Sequence, residues 1–217
     1  MRYKVFGRHT GLRVSELFLG AGMFGTGWGH GAEPEESRCI FDGYLEAGGN
    51  VLDTSDSYQF GESESLLGEF IGSVRDDLIV ATKYTQSADP KGSLSVTGNS
   101  RKAMVRSLEQ SLKRLRTDRI DLYWVHMPDD MTPIDEIVRG LDDLVRAGKV
   151  LYAGSPTFQR GERRLLRCSL NSAAGHPLPH SKSSTVWCNA RRSGNCCQWP
   201  PPSASRLPPG HRSVGAS

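Results

Sequence analysis

Hydrophobic and polar positions in residues 1–154 switch repeatedly between a strand pattern and a helix pattern. Short apolar or β-rich runs are typical of strands buried on both faces, and they predict strands at residues 17–20, 50–53, 78–82, 120–125 and 150–153. Apolar residues at helical spacing predict helices at residues 35–47, 62–71, 100–115 and 133–147. Asn99 or Ser100 is a candidate N-cap of the third helix, and Thr132 of the fourth, with Pro133 at its first position.

Five strands separated by four helices, in strict order, predict a parallel sheet, because each crossover returns the chain to the same direction. Residues 1–14 resemble a β-hairpin that precedes the first strand of this sheet. A doubly wound sheet and a (β/α)8 barrel both fit the alternation. The choice between them depends on the motifs.

Residues 155–217 differ in composition from the rest of the chain. They hold nine basic residues and one acid, Glu162, whereas residues 1–154 carry 18 bases and 23 acids. Eight of the twelve prolines lie here, so we predict an irregular, disordered tail. The basic residues lack helical spacing and regular aromatic interleaving, which speaks against binding to nucleic acid. Four of the five cysteines also lie here without zinc-ligand spacing, and no metal site is expected.

The bulk properties predict a cytoplasmic protein without a membrane segment. The mean hydropathy is −0.44, and no apolar run approaches the roughly 20 residues that span a bilayer. The first residues lack the apolar core of a signal peptide.

Residues 20–25, GAGMFG, match the dinucleotide fingerprint G-x-G-x-x-G and follow a predicted strand. In a Rossmann fold the last glycine lies in a helix whose N-terminus holds the pyrophosphate. Here Gly27, Gly29, Gly31 and Pro34 follow, so no helix is expected before about residue 35. We therefore reject the Rossmann interpretation and expect a strand-end loop close to a ligand.

Four titratable residues fall at or just beyond the ends of three successive predicted strands: Asp53, Tyr58, Lys83 and His126. In a (β/α)8 barrel these ends meet on the face that carries the active site. Each residue alone has a structural explanation, as a turn cap, a loop aromatic, a solvated lysine or a core histidine. Together they fit hydride transfer to a carbonyl, in which the developing oxyanion must receive a proton. Tyr58 would donate it, Lys83 would favour the phenolate, Asp53 would hold Lys83, and His126 would orient the carbonyl oxygen.

Five segments of residues 1–154 resemble the aldo/keto reductase family: NVLDTSDSY (50–58), GESE (61–64), ATK (81–83), RIDLYWVH (119–126) and GKVLYAG (148–154). The resemblance implies about five strands of a (β/α)8 TIM barrel, the cofactor NADP(H) and a small-molecule carbonyl substrate. It implies that Tyr58 is the proton donor, supported by Asp53, Lys83 and His126. It also implies that Gly22, Met23 and Asp53 lie near the nicotinamide.

The resemblance ends at about Ser155, where the family would continue with a Ser-Asn or Ser-Asp pair and three more βα units. Residues 154–161 can be back-translated as GGC TCT CCG ACT TTC CAG CGT GGG. Adding one A after GGC gives GISDFPAW, a family-like continuation. We therefore hypothesise a single-base deletion or a sequencing error at this boundary. The competing interpretation is a natural basic, proline-rich extension.

The prediction is a partial reductase barrel at 1–154 and an irregular tail at 155–217. The truncated chain is expected to have impaired activity, because the missing units would supply most of the cofactor-binding loops. The alternatives are a non-catalytic regulatory or binding half-barrel, a self-association through the open barrel edge, and a non-functional frameshift product. A Rossmann dehydrogenase, the second choice among enzymes, would need a helix directly after Gly25.

Overall fold

The computed structural model describes residues 1–7 and 10–154. The predicted tail at 155–217 and its cysteines lie outside the described residues. A hairpin of two short antiparallel strands, β1 (Tyr3–Val5) and β2 (Arg13–Ser15), opens the chain, as predicted.

The main sheet has five parallel strands: β3 (Leu19–Gly20), β4 (Val51–Asp53), β5 (Ile79–Tyr84), β6 (Ile120–Val125) and β7 (Val150–Gly154). Four helices connect them: α1 (Pro34–Glu46), α2 (Glu62–Phe70), α3 (Arg101–Arg114) and α4 (Ile134–Arg146). The strands stand in chain order, from β3 to β7. Because βα crossovers are right-handed, steps in one direction place every helix on the same side of the sheet. This is the arrangement of a (β/α)8 barrel, and a doubly wound sheet is excluded.

Two apolar layers enclose the sheet. The larger packs the helices on its outer face, around Phe41, Leu67, Met104 and Leu141. The smaller lies on the inner face, around Val51, Ile79, Leu122 and Trp124, where Phe6 and Leu12 of the hairpin region cover it. The long apolar runs of β5 and β6 follow from this burial on both sides.

Strand β3 is shorter than predicted, because Leu17 and Phe18 lie outside it and are exposed. The carbonyl of Leu17 instead accepts hydrogen bonds from the Ser15 hydroxyl (2.7 Å) and the Tyr44 hydroxyl (2.9 Å). These side chains take the place of a neighbouring strand, so the ladder begins only at Leu19.

The start of α3 is confirmed and that of α4 is corrected. Ser100 caps α3, its hydroxyl accepting from the backbone N–H of Ala103. Thr132 is not the N-cap of α4; Pro133 occupies that position. The Thr132 hydroxyl donates instead to Asp129 Oδ2 at 2.7 Å, which binds it to the preceding loop.

Tyr84 carries a buried hydroxyl that has no hydrogen-bond partner among the described residues. Its ring stacks on Tyr123 at 5.2 Å, whereas the Tyr123 hydroxyl donates to the carbonyl of Met104 at 3.2 Å. A buried, unsatisfied polar group costs about 1–3 kcal/mol.

We therefore expect Tyr84→Phe to raise the free energy of unfolding in urea by about 1 kcal/mol. Tyr123→Phe, the matched control, should lower it by a similar amount, and equal losses in both variants would contradict the explanation.

Candidate active site

The four predicted titratable residues form a tetrad at the carboxyl ends of β4, β5 and β6: Asp53, Tyr58, Lys83 and His126. Asp53 is the last residue of β4, and Lys83 is the penultimate residue of β5 rather than its end. His126 directly follows β6, and Tyr58 begins a short 3₁₀ turn, Tyr58–Gly61, after β4. The parallel register pairs Asp53 with Ala81, and Lys83 with Trp124, so these side chains occupy adjoining levels of the inner face.

The ammonium group of Lys83 links three parts of the site. It donates to Asp53 Oδ2 at 2.8 Å, to the carbonyl of Thr54 at 2.7 Å and to the Tyr58 hydroxyl at 3.3 Å. The Lys83 side chain is largely buried, so its charge is stabilised by Asp53 rather than by water. This holds a cation beside the phenol oxygen of Tyr58, where it stabilises negative charge.

His126 also contacts the ring of Tyr58. Its ring stands edge-on to that of Tyr58, with centroids 5.9 Å apart, and its Nδ1 lies 3.3 Å from the Ser55 hydroxyl. Burial and the nearby charge of Lys83 lower the pKa of His126, although Asp53 opposes them. The imidazole is therefore neutral at pH 7, and the neutral ring can take part in hydrogen bonding without adding a second cation.

Gly22 and Met23 lie in the loop after β3, next to the tetrad. A Cβ at Gly22 would lie 3.6 Å from the Tyr58 ring, so this glycine brings the loop backbone close to the phenol. Met23 is exposed. No helix follows the GAGMFG segment until α1 begins at Pro34, which confirms the rejection of a Rossmann fingerprint.

Sequence reasoning missed the polar residues that support the tetrad. Thr54 supplies a backbone carbonyl to Lys83, and the Ser55 hydroxyl is buried beside His126. Both are within the segment that follows Asp53, where small polar residues at the end of a buried strand were the available signal. Two further buried residues carried no such signal, because their partners lie far away in the sequence. Glu64 pairs with Arg114, 50 residues away, and Gln59 binds Trp28, 31 residues away.

Asp56 is a buried carboxyl group directly behind the site. Burial raises its pKa to about 6, although the hydrogen bond that the Ser107 hydroxyl donates to its Oδ2 (2.7 Å) opposes this. Because the folded-state pKa is raised, the stability that Asp56 contributes is fully present below about pH 4 and is lost as the pH rises through about 6.

Asp56→Asn should remove this pH dependence, because the amide oxygen still accepts from Ser107 but the side chain cannot ionise. We expect the variant to gain about 3 kcal/mol over the parent chain between pH 4 and pH 7, in urea unfolding at each pH. Asp130→Asn, at an exposed position, serves as the control. A parallel pH profile for the parent and Asp56→Asn would contradict the prediction.

The sheet order and the tetrad define the class of the protein: the first part of a (β/α) barrel with a polar site at the carboxyl ends of its strands. A sequence model described as the aldo/keto reductase family matches residues 16–161. The chain therefore belongs to the aldo/keto reductase family.

Several curated relatives are oxidoreductases by name. The chain is 41% identical over 161 residues to a norsolorinic acid reductase of Emericella nidulans, covering 70% of this chain and 42% of the relative. It is 38% identical over 166 residues to an aryl-alcohol dehydrogenase [NADP(+)] of Phanerodontia chrysosporium, covering 70% and 43%. A norsolorinic acid reductase of Aspergillus flavus is 38% identical over 202 residues, covering 88% and 51%. The chain thus spans about half the length of these relatives or less.

Proposed function

We propose that the site at the carboxyl ends of β4–β6 reduces the carbonyl group of an aldehyde or ketone to an alcohol with NADPH. The contact of the Tyr58 hydroxyl with Lys83, itself paired with Asp53, carries this proposal. When bound, the nicotinamide supplies a hydride to the carbonyl carbon. Tyr58 gives its proton to the carbonyl oxygen, and Lys83 stabilises the phenolate that remains. His126, neutral and edge-on to the Tyr58 ring, orients the carbonyl oxygen.

The residues present fit the nicotinamide end of such a cofactor. The Asp53 carboxylate is one-third exposed beside Lys83, so it can accept hydrogen bonds from ligand hydroxyls. Gly22 and the exposed Met23 provide a close backbone and an apolar contact next to the phenol. We assign Gly22, Met23 and Asp53 to cofactor binding and Asp53, Tyr58, Lys83 and His126 to catalysis.

The substrate that we propose is an aromatic aldehyde or ketone. The relatives are named for aryl alcohols and for norsolorinic acid, which supports this class of substrate.

The described residues contain no helix long and apolar enough to cross a membrane. We propose that the protein acts in the cytoplasm.

The test measures NADPH binding by fluorescence and NADPH oxidation with benzaldehyde, using the purified 217-residue chain. We expect weak binding and little turnover, because the chain spans only part of its relatives' length. A second chain, with one base inserted after the Gly154 codon, should bind NADPH and reduce benzaldehyde if the frame-shift hypothesis is right. If neither chain binds NADPH, the proposed function is wrong.

Resequencing the coding DNA across the codons of Gly154 and Ser155 tests the frame-shift hypothesis directly. An extra base there would support it, and the sequence as given would contradict a sequencing error. The Aspergillus flavus alignment covers 88% of the chain and so extends beyond Gly154, which supports the competing interpretation of a natural in-frame extension.

The sheet also favours a second candidate function, self-association of a non-catalytic half-barrel. Within the described residues, β3 and β7 each have a neighbour on one side only. An open sheet edge offers unpaired backbone groups to another chain. A monodisperse dimer with cooperative unfolding in analytical ultracentrifugation and calorimetry would support this function, and a stable monomer would contradict it.

A further inference from the structure

The glycine-rich loop at residues 22–32 is bound to the segment after Tyr58 by two side chains. Glu62 Oε2 accepts from the backbone N–H groups of Thr26 (2.8 Å) and Gly27 (2.9 Å). Gln59 Oε1 accepts from the N–H of Trp28 at 2.8 Å, and its amide nitrogen donates to the carbonyl of His30 at 3.1 Å. Three consecutive backbone donors of the loop are thus satisfied from this one segment.

Backbone strain accompanies these contacts. Gln59 and Phe60 both adopt left-handed conformations, with φ of 51° and 55°. Non-glycine residues in this region cost on the order of 1 kcal/mol each and persist only where the surroundings impose them. The turn buries the side chain of Gln59 against the loop and leaves Phe60 exposed.

The loop is seated so closely that only glycine fits at two contact points. A Cβ at Gly25 would lie 2.5 Å from Glu62, and a Cβ at Gly27 would lie 2.6 Å from the carbonyl oxygen of Gln59. Both distances are well below van der Waals contact. Gly25, the last glycine of the segment that resembles a dinucleotide fingerprint, therefore serves together with Gly27 to dock this loop.

The docked loop presents Trp28 beside the proposed proton donor. The indole stands edge-on to the Tyr58 ring, with centroids 6.1 Å apart, and edge-on to Phe60 at 6.5 Å. It is nevertheless 38% exposed. Four hydrogen bonds to the loop backbone hold the loop independently of the ring contacts of the indole, and the exposed part of the indole is accessible to a ligand.

From this arrangement we infer that Trp28 forms an aryl-binding wall of the carbonyl site and favours flat aromatic substrates over saturated ones. Gln59 and Glu62 are positioning residues that fix the loop, and with it the indole, relative to Tyr58. Aromatic rings prefer edge-to-face or offset contacts at centroid distances of about 4.5–7 Å, so a ring bound next to Tyr58 can meet the indole in this way. The inference rests on the proposed function and adds the residue that selects the substrate class.

The test compares two ketones of equal ring size, acetophenone and cyclohexyl methyl ketone, without cofactor. Their dissociation constants for the 217-residue chain are measured by ligand-observed NMR. We expect tighter binding of acetophenone, and Trp28→Leu should weaken it about fivefold while changing cyclohexyl methyl ketone binding by less than about twofold. Phe18→Leu is the control, because Phe18 is also 38% exposed but precedes β3 at the opposite end of the strand.

Equal affinities for the two ketones, or an unchanged preference in Trp28→Leu, would overturn the inference and leave the proposed function intact. If neither the 217-residue chain nor the chain with the inserted base binds a ketone or NADPH, both the inference and the proposed function are overturned. The NADPH titration of the same sample separates these two failures.

The positioning role is tested with Glu62→Ala and Glu62→Gln. The emission of Trp28 is isolated as the difference between each chain and its Trp28→Phe counterpart, and its quenching by acrylamide is measured. Glu62→Ala should raise the quenching constant and reduce the preference for acetophenone about threefold, whereas Glu62→Gln, which keeps an oxygen acceptor, should restore both. If Glu62→Ala changes neither quantity while circular dichroism shows a folded chain, Glu62 has no positioning role.

Discussion

Replacing Tyr58 with phenylalanine is expected to slow carbonyl reduction by about 10²–10⁴-fold, the usual contribution of a positioned general acid. The substitution removes only the hydroxyl that lies 3.3 Å from Lys83 Nζ, and it keeps the ring that packs against His126 and Trp28. The shape of the site is therefore preserved. We expect the dissociation constants of NADPH and acetophenone to change by less than about twofold.

The measurement is NADPH oxidation under single-turnover conditions, in whichever of the two chains described above reduces benzaldehyde. Tyr3→Phe is the matched control, because Tyr3 lies in β1 of the hairpin and its hydroxyl donates to the carbonyl of Gly48 after α1, away from the tetrad. A rate for Tyr58→Phe within tenfold of the parent would exclude Tyr58 as the proton donor. A loss of ligand binding in the same variant would point to a structural role instead.

Much of the fold was predictable, because burial on both sides of a strand leaves a clear trace in the sequence. The bounds of β6 were predicted without error, since every residue from Ile120 to Val125 is buried. The alternation of strands and helices likewise predicted a parallel sheet. It did not distinguish a barrel from a doubly wound sheet; the residues at the strand ends and the family resemblance favoured the barrel, and the strand order confirms it.

The departures arose where side chains far apart in sequence replace backbone pairing. Leu17 was predicted to lie in β3, but its carbonyl accepts a hydrogen bond from the hydroxyl of Tyr44, which lies 27 residues away in the sequence. Thr132 has the chemistry of an N-cap, yet it binds Asp129. No local pattern predicts the left-handed turn at Gln59 and Phe60, because neither residue type favours the left-handed conformation.

Glu64 shows the same limit most clearly. From the sequence alone, Glu64 is one of several acidic residues on α2 and cannot be distinguished from Glu69. In the structure Glu64 is fully buried, whereas Glu69 is exposed. Glu64 Oε2 lies 2.7 Å from the guanidinium of Arg114, and its Oε1 accepts from the Thr82 hydroxyl at 2.5 Å. Glu64 thus joins α2 to α3 and to Thr82 in the middle of β5, one position before Lys83.

Glu64→Ala is expected to lower the free energy of unfolding by about 3–5 kcal/mol, because removing one partner of a buried ion pair leaves the other without compensation. Glu69→Ala is the matched control: it lies on the same helix, is also paired with an arginine (2.8 Å), and should cost less than about 1 kcal/mol. Both are measured by urea unfolding.

The double variant Glu64→Leu, Arg114→Met decides how the cost arises. If most of the loss in stability comes from the Arg114 guanidinium that is left without its partner, removing both charges should recover most of the stability lost in Glu64→Ala. If the pair instead holds β5 in place for Lys83, the double variant should unfold at the parent's urea concentration and still lose NADPH affinity. A cost for Glu64→Ala no larger than that for Glu69→Ala would show that burial of this pair contributes nothing to the stability of the half-barrel.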